Sequence, residues 1–325
     1  MKATALICCL SFVAVGFAAD QGLTEAVKLY DRGKYQQALQ ILSQTNASQN
    51  DAEVHFRLGK VYLKLHKRDD AIRELREAVR IDPSNGTYHL WLGRAYGDKA
   101  SHVSFLFATG WARKVAQEFE TAVKLSPRDL EARFDLLQFY LEAPALVGGG
   151  RLKAQAEARE IAAIDPVQGY LARAMEYEQD KRWDEARQEL TRATTEFPRD
   201  SVAFTNLADF LLDRQDYAGA ESNGARALEL DPGNIKAKFH HSAAAVGLKR
   251  DLPAAEKTLL ELAAGPLDDD SNPGFEDVYY WLGRAYQEEG KAAEALEAFQ
   301  TALKFDPEHK AAKTALARIP LRDGL

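Results

Sequence analysis

The side chains best suited to acid–base or metal chemistry form no recognised catalytic pattern in this chain. Its seven histidines include no pair spaced four residues apart around a glutamate, the arrangement in which two imidazoles on one helix face hold zinc. His240 and His241 are adjacent, so we expect them to point to different helix faces rather than to share a metal ion. We therefore predict a non-enzymatic protein without a metal site or cofactor.

Two loops resemble ligand sites only in part. The segment 268–272 alternates Asp and Asn like the start of a calcium loop, but Pro273 and Tyr279 stand where such a loop needs Gly and Glu. Three glycines, Gly148–Gly150, precede a predicted helix, whose free N–H groups could hold an anion. No Gly-Lys-Ser/Thr follows them, so we interpret the glycines as a turn between two helices.

Composition indicates a folded chain with no affinity for nucleic acid. Of the 325 residues, 46% are hydrophobic and 28% are charged, which is typical of globular proteins. There are 42 basic and 49 acidic residues, giving a net charge of −7. Nucleic-acid-binding proteins usually show the opposite imbalance.

The first 18 residues have the pattern of a secretory signal peptide. Lys2 is followed by the largely apolar stretch Ala5–Val15, and small residues at Gly16 and Ala18 suit cleavage after Ala18. An uncleaved anchor is the alternative, although the stretch is shorter than the ~20 residues of a spanning helix. Cleavage would also remove both cysteines, Cys8 and Cys9. We predict an exported protein, periplasmic or extracellular.

The rest of the chain repeats with a period near 34 residues. Seven of the eleven prolines follow this rhythm, with gaps of 32, 34 and 34 residues in the regular part and of 39 to 44 elsewhere: Pro83, Pro127, Pro166, Pro198, Pro232, Pro266 and Pro307. A small residue lies twelve positions before most of them, and the stretch WLGRAY occurs at both 91–96 and 281–286. Apolar residues three and four apart, with small residues between, predict pairs of closely packed helices that end at each proline.

This pattern resembles the tetratricopeptide repeat, and the resemblance covers nearly all of 21–319. It implies an all-α, right-handed solenoid of about eight antiparallel helix hairpins closed by a C-terminal capping helix at 308–319. The predicted units are about 21–50, 52–85, 86–129, 130–166, 167–200, 201–234, 235–275 and 276–309. Gly224 lies inside the second helix of unit six and faces an alanine-rich helix, which predicts a weakly packed junction near 220–250.

The resemblance also implies a concave groove that is lined by the fifth and ninth residues of each unit. The fifth residues are mostly apolar, and soluble surfaces rarely leave a large apolar patch without a use. The alternative is that several of these rings pack on the neighbouring hairpin. The candidate groove residues are Phe56, Lys60, Leu90, Arg94, Phe134, Gln138, Leu171, Met175, Phe239, Tyr280 and Arg284.

One known use of such grooves does not fit the residues. Members of the family that hold an acidic chaperone tail carry a clamp of Lys, Asn and Arg on successive first helices. Here Lys60 and Arg94 are isolated, and only Asn206 occupies a clamp-like place. Its neighbours Asp209 and Asp213 would repel a carboxylate.

The insertion in unit three predicts an exposed apolar knob. A helix that begins near Ser101 or Ser104 would extend beyond its neighbours, so the array could not bury all the large side chains there: Phe105, Leu106, Phe107 and Trp111. A partner protein or an anionic membrane surface is the expected contact, because no acidic residue occurs between Asp98 and Glu118. The alternative is that both helices of the hairpin are lengthened and cover each other.

These observations lead to two competing hypotheses. The favoured one is a non-catalytic scaffold that binds an extended segment of a partner protein in its groove, within an exported assembly. The rival is an accessory or enzyme-like protein with a small-molecule or sugar site built from the insertions at 97–114, 143–150 and 267–275.

Overall fold

The computed structural model describes residues 21–46, 51–267 and 273–319, and all regular structure within these ranges is helical. The chain forms two compact units that divide between Ala154 and Gln155. The predicted leader at 1–18 and the calcium-like segment 268–272 lie outside the described residues. Among the described helices, none combines the length and apolar character needed to cross a bilayer.

The first unit consists of consecutive helix hairpins. Its third hairpin, formed by α5 and α6, is longer than the others, with helices of 16 and 21 residues. The helices are α1 (21–30), α2 (Tyr35–Asn46), α3 (Ala52–Lys64), α4 (Arg68–Ile81), α5 (Gly86–Ser101), α6 (Phe105–Leu125) and α7 (Leu130–Glu142), followed by a 3-10 turn at Ala145–Val147 and by α8 (Arg151–Ile164), in which the two units divide.

The second unit continues the same pattern and ends with a short capping helix. Its helices are α9 (Pro166–Gln179), α10 (Trp183–Glu196), α11 (Ser201–Asp213), α12 (Tyr217–Leu230), α13 (Ile235–Gly247), α14 (Leu252–Ala264), α15 (Phe275–Glu288), α16 (Ala292–Phe305) and α17 (Lys310–Leu316). The prediction of an all-α array of packed helix hairpins is confirmed.

Local sequence explains where most helices start and stop. Asp or Asn side chains accept hydrogen bonds from the first backbone N–H groups of the first helices, which replaces missing intrahelical partners. These caps are Asp51, Asn85, Asp129, Asp165, Asp200 and Asn234. From α4 onward, each second helix ends two residues before a proline, as the rhythm predicts. At 166 the proline itself opens α9, so Asp165 follows one helix and caps the next.

The short turns inside six of the hairpins each contain a left-handed residue. Gly33 and Gly290 take positive φ angles of 66° and 77°, which costs glycine little. The equivalent turns in four other hairpins place non-glycine residues at φ between 56° and 60°: His66, Lys181, Gln215 and Lys249. Residue type therefore does not mark this turn, although its geometry recurs through both units.

Gly224 marks a close contact between α12 and α13, and the low stability expected of this junction stays a prediction. A Cβ atom at Gly224 in α12 would lie 3.0 Å from the His241 Cβ atom in α13. The alanine-rich run Ala243–Val246 of α13 is buried and belongs to the main apolar core of the second unit. The expectation that little apolar surface is buried near 220–250 is therefore wrong, because small residues on both helices let the backbones approach closely.

Candidate functional site

First helices of successive hairpins contact one another: α9, α11, α13 and α15 in the second unit, and α3 with α5 in the first, where Arg94 also links α5 to α7. We call the surface that these helices line in each unit the first-helix face. In the first unit, Lys60 of α3 lies on this face, but only 5% of it is exposed. Its Nζ atom lies 4.3 Å from the centroid of the Trp91 ring and 4.8 Å from that of Tyr30. Cations over aromatic faces are stabilised electrostatically. Lys60 thus forms part of the packing between α1, α3 and α5.

Arg94 of α5 is also held by its own chain. Its guanidinium contacts Asp135 of α7 at 2.5 Å and Glu131 at 2.7 Å, and it lies 4.8 Å from the Trp91 ring. Burial disfavours the charged form, but the hydrogen bonds and charges of these two acids raise the pKa of Arg94 above its ordinary value. Arg94 is therefore paired with acids of its own unit, whereas Lys60 is packed among aromatic rings.

Several of the predicted groove residues are core side chains. Only 4% of Phe56, 1% of Leu90 and 3% of Phe239 is exposed, so these three are not exposed apolar anchors. Phe56, for example, packs against Tyr88 and Trp91, with ring centroids 5.0 and 6.2 Å apart. The others of the predicted set that remain accessible are the half-buried Phe134, Leu171, Met175, Tyr280 and Arg284 and the exposed Gln138. Their role in binding stays a prediction.

The second unit has an open pocket on its first-helix face. We call it the amide pocket: a cavity of about 400 Å³ whose lining includes Gln168 of α9, Thr205 and Asn206 of α11 and Asn234 before α13. Asn234 and Thr205 are satisfied within the chain, because Asn234 Nδ2 donates to Thr205 Oγ1 at 3.0 Å. By contrast, Gln168 Oε1 and Asn206 Nδ2 are buried without a hydrogen-bond partner among the described residues.

Those two atoms have complementary chemistry. Gln168 Oε1 is an acceptor and Asn206 Nδ2 is a donor, so together they match the N–H and C=O groups of a peptide backbone. A buried polar atom without a partner costs about 1–3 kcal/mol, which a bound peptide group would recover. Asn206 is the one clamp-like residue that the sequence identified, whereas Gln168 was missed because its position is not one that the resemblance assigns to the groove.

Further along the same helices lies a group of carboxylates that we call the acid cluster: Glu178 of α9 with Asp209 and Asp213 of α11. Among the described residues, neither Glu178 nor Asp213 has an ion-pair partner. His240 of α13 is 1% exposed, and its Nε2 atom lies 3.0 Å from Asp209 Oδ1. The described residues contain no set of three side chains arranged to hold a metal ion.

Burial and the mutual repulsion of the carboxylates in the acid cluster raise the pKa values of Glu178 and Asp213. Burial, together with the charges of Asp213 and Asp209, raises the pKa of Glu178 to about 7. Burial and the charge of Asp209 raise the pKa of Asp213 to about 6, although His240 and Arg214 lower it. Both carboxylates are therefore ionised at mildly alkaline pH in surroundings that supply little positive charge.

The two adjacent histidines diverge, as the sequence predicted. His240 faces Asp209 of α11, whereas His241 Nδ1 contacts the backbone oxygen of Glu221 in α12 at 3.1 Å. Beyond them, at the end of the second unit, Arg284 Nη1 donates to the Tyr280 hydroxyl at 3.1 Å. These two predicted groove residues border a separate cavity of about 580 Å³ beside α17.

The unit-three insertion combines both structures that the sequence left open. α5 extends to Ser101 and α6 begins at Phe105, after Ser104 at the N-cap position, so both helices are lengthened. Trp111 packs against Tyr96 of α5, with ring centroids 5.5 Å apart. Leu106 and Phe107 nevertheless remain 83% and 69% exposed.

Two of the three insertions meet at one cavity of the first unit. Its volume is about 580 Å³, and its lining includes Gly97, Ala112 and Pro144 together with the carboxylates of Asp135 and Glu142. The third insertion contributes Leu267 and Pro273 to the amide pocket of the second unit.

Comparison with known proteins identifies the repeat. Family models of the tetratricopeptide repeat match residues 29–96, 171–235 and 276–309. No curated protein sequence matches the chain. Among solved structures, a thermophilic TPR protein of Thermus thermophilus is 19% identical, with a TM-score of 0.46, and the match covers 70% of this chain and 99% of that one.

Two further solved structures are similar over more of the chain. A tetratricopeptide repeat protein from Parabacteroides merdae is 15% identical, with a TM-score of 0.45, and the match covers 92% of this chain and 98% of that one. The APC/C hetero-tetramer Cut9–Hcn1 is 16% identical, with a TM-score of 0.47. That match covers 93% of this chain and 55% of the other, so this chain spans about half of its length.

Proposed function

Since this chain is a tetratricopeptide repeat protein, we propose that it is a non-catalytic scaffold that binds an extended segment of a partner protein along the first-helix face of its second unit. The observation that carries the proposal is the open amide pocket, whose lining includes Gln168 and Asn206. The Gln168 Oε1 and Asn206 Nδ2 atoms are buried without a hydrogen-bond partner among the described residues. An extended backbone offers one donor and one acceptor per residue, which these atoms complement.

The residues between the two amides and the acid cluster suit an extended chain. On α9, Gln168, Leu171 and Met175 are spaced three and four residues apart, so they share one helix face. Leu171 and Met175 are half-buried apolar side chains on that face. A bound segment would thus meet polar atoms for its backbone and apolar surface for its side chains, the usual composition of a peptide site.

The test uses a random twelve-residue peptide library displayed on phage and selected against the full chain. We expect selected peptides to bind at least tenfold more weakly to the double variant Gln168→Ala/Asn206→Ala, measured by fluorescence anisotropy. The matched control is Gln188→Ala/Gln300→Ala, which removes two exposed amides from the second helices α10 and α16. Failure to select any peptide, or equal loss in both double variants, would contradict the proposal.

Export belongs to the proposal as well, and it rests on the sequence pattern at 1–18. The partner is then a protein of the periplasm or the cell exterior. Intact-mass analysis of the protein recovered from outside the cytoplasm tests this step, because cleavage after Ala18 removes Cys8 and Cys9. A mass that retains both cysteines would contradict it.

The insertion in unit three supports a second contact. Leu106 and Phe107 are large apolar side chains that remain exposed at the start of α6. We propose that they contact the partner protein, with an anionic membrane as the alternative outcome. A pull-down from the exported fraction would recover the partner protein. Changing both residues to Ser should weaken its capture without affecting the binding of phage-selected peptides. Loss of binding to anionic vesicles instead would favour the membrane.

The rival small-molecule function retains one supporting observation, the cavity that two insertions line in the first unit. Ala112→Trp would fill this cavity. If small molecules from a metabolite set raise the melting temperature of the wild-type chain but not of this variant, the cavity is a ligand site. If none of them does so, the scaffold function stands alone.

A further inference from the structure

The acid cluster indicates what the bound segment must carry. We propose that the second unit selects a partner segment with a lysine or arginine side chain, which enters the acid cluster and pairs with Glu178 and Asp213. This inference rests on the proposed function, because it assigns a side chain to the segment whose backbone the amide pocket holds.

The first argument is charge. Glu178 and Asp213 come from neighbouring first helices, and within the described residues neither meets a Lys or Arg close enough for an ion pair. Arg214, directly after α11, lowers the pKa of both carboxylates through its charge, but its guanidinium lies over the Trp183 ring, 4.2 Å from the centroid. A cation brought by a ligand would therefore meet carboxylates whose charge is not already neutralised.

The second argument is the imidazole of His240, which comes from a third first helix, α13, and is buried beside the carboxylates. The side chain is fully buried, and its Nδ1 atom has no hydrogen-bond partner among the described residues. The ring points toward the cluster, since its Nε2 atom approaches Asp209 Oδ1. Buried polar atoms without partners are few in folded proteins and mark places where a ligand or a functional requirement intervenes.

The third argument is the match in length. Asn206, Asp209 and Asp213 are spaced three and four residues apart on α11, so they lie on one face of the helix. At 1.5 Å per residue, Asn206 and Asp213 are separated by about 10 Å along the helix. About three residues of extended chain cover this distance. We therefore place the basic residue about three positions from the backbone group held in the amide pocket.

The same chemistry separates this site from an acidic-tail clamp. Lys236 of α13 borders the amide pocket beside Asn206. Beyond Asn206 on α11, however, the next residues of the same face are Asp209 and Asp213, which would repel a carboxylate ligand. The basic side chains of the first-helix face in the first unit, Lys60 and Arg94, are already held by rings and acids of that unit. The preference for a cation thus belongs to the second unit.

The experiment compares the composition of peptides selected from the phage library by three forms of the full chain. These are the wild type, the variant Glu178→Gln/Asp213→Asn and the control Asp184→Asn/Glu297→Gln. The control removes two acids from exposed positions on α10 and α16 and so changes the net charge equally. Selection is performed at pH 8 in about 50 mM salt, because screening weakens such pairing at higher ionic strength.

We expect Lys and Arg to be enriched in peptides selected by the wild type and by the control, and not in those selected by Glu178→Gln/Asp213→Asn. Replacing the enriched arginine of the best peptide by uncharged citrulline should weaken its binding to the wild type at least tenfold. The same replacement should change its binding to the acid-cluster variant less than twofold. Thermal melts of all three proteins check that each is folded.

The other outcomes separate this inference from the proposed function. Selection of peptides without basic enrichment overturns the inference and leaves the proposed function standing. Enrichment of acidic peptides, or equal basic enrichment by the acid-cluster variant, also overturns it. Selection of no peptide by any of the three proteins contradicts the inference and the proposed function together.

Discussion

The first-helix faces of the two units differ in whether their charged side chains are paired with an opposite charge of the same chain. In the first unit, Arg94 contacts Asp135 and Glu131, so its charge is neutralised by its own chain. In the second unit, Glu178 and Asp213 lie near other acids and have raised pKa values. A charged residue at a groove position can therefore be structural, and only the surrounding side chains show whether it is available to a ligand.

The largest expected effect concerns the buried aromatic residues. Phe56→Ala and Phe239→Ala should each lower the free energy of unfolding by about 3–5 kcal/mol, because each removes a fully buried ring and leaves a cavity. Urea denaturation of the full chain measures this. Phe134→Ala is the control at an equivalent but half-buried position, and it should cost less. Equal, small losses at all three positions would show that Phe56 and Phe239 are surface anchors.

Much of the fold could be predicted from the sequence because its signals are local. The Asp and Asn caps and the proline rhythm mark helix ends through backbone chemistry at single residues. The left-handed turns at Lys181 and Gln215 could not be predicted this way, because neither residue favours that conformation. There the requirement to close the hairpin overrides residue preference.

The candidate site was less predictable because it depends on stacking. Phe56 has the residue type of an exposed anchor, and only its contacts with Tyr88 and Trp91 show that it is buried. Asp209 and Asp213 entered the sequence argument only as an obstacle to a carboxylate ligand. Glu178 is 31 and 35 residues away from them, so the acid cluster exists only once α9 and α11 are adjacent.

Removing one acid should change the free energy of unfolding in opposite directions on the two first-helix faces. Asp135→Asn in the first unit should lower the free energy of unfolding by about 1–3 kcal/mol at neutral pH, since it weakens the pairing of the largely buried Arg94. Glu178→Gln in the second unit should raise it by about 1–3 kcal/mol at pH 8. Urea denaturation of the two single variants gives both signs. If both variants changed the free energy of unfolding in the same direction, the proposed difference between the two faces would be wrong.

The gain at Glu178 should depend on pH. The pKa of this carboxyl is raised from 4.5 to about 7, so the folded chain holds the proton more tightly than the unfolded chain. Its contribution to stability is complete below about pH 4.5 and is lost as the pH rises through 7. Glu178→Gln should therefore be stabilising at pH 8 and nearly neutral near pH 4.5. Asp213, whose pKa is also raised, is left unchanged in this variant and keeps its own pH dependence.

A substitution at the junction between α12 and α13 should change the free energy of unfolding less, but the direction of the change is informative. Alanine has the higher helix propensity by about 1 kcal/mol, but a Cβ at Gly224 would press on the His241 backbone. Gly224→Ala should therefore lower the free energy of unfolding by about 1–2 kcal/mol. Thermal melting reports the change, and Ser222→Ala at an exposed position of the same helix is the control. A stabilised Gly224→Ala variant would restore the weak junction that the sequence suggested.

The smallest effect is expected at the start of α6. Leu106→Ser and Phe107→Ser should each change the free energy of unfolding by less than about 0.5 kcal/mol, because both side chains are mostly exposed. Trp111→Ser should cost more, since the indole packs on Tyr96. Chemical denaturation of the three variants measures the order. A large loss at Leu106 would place it in the core rather than on a contact surface.

The measurement that tests the central claim most directly is photo-crosslinking of a phage-selected peptide that carries one benzophenone side chain. Benzophenone reacts readily with methionine, and the only methionine of the described residues is Met175, on the first-helix face of α9. We predict that peptide mapping finds crosslinks at Met175 and within Ser201–Asp213. Crosslinks confined to Ala52–Lys64 and Gly86–Ser101 of the first unit would contradict the account.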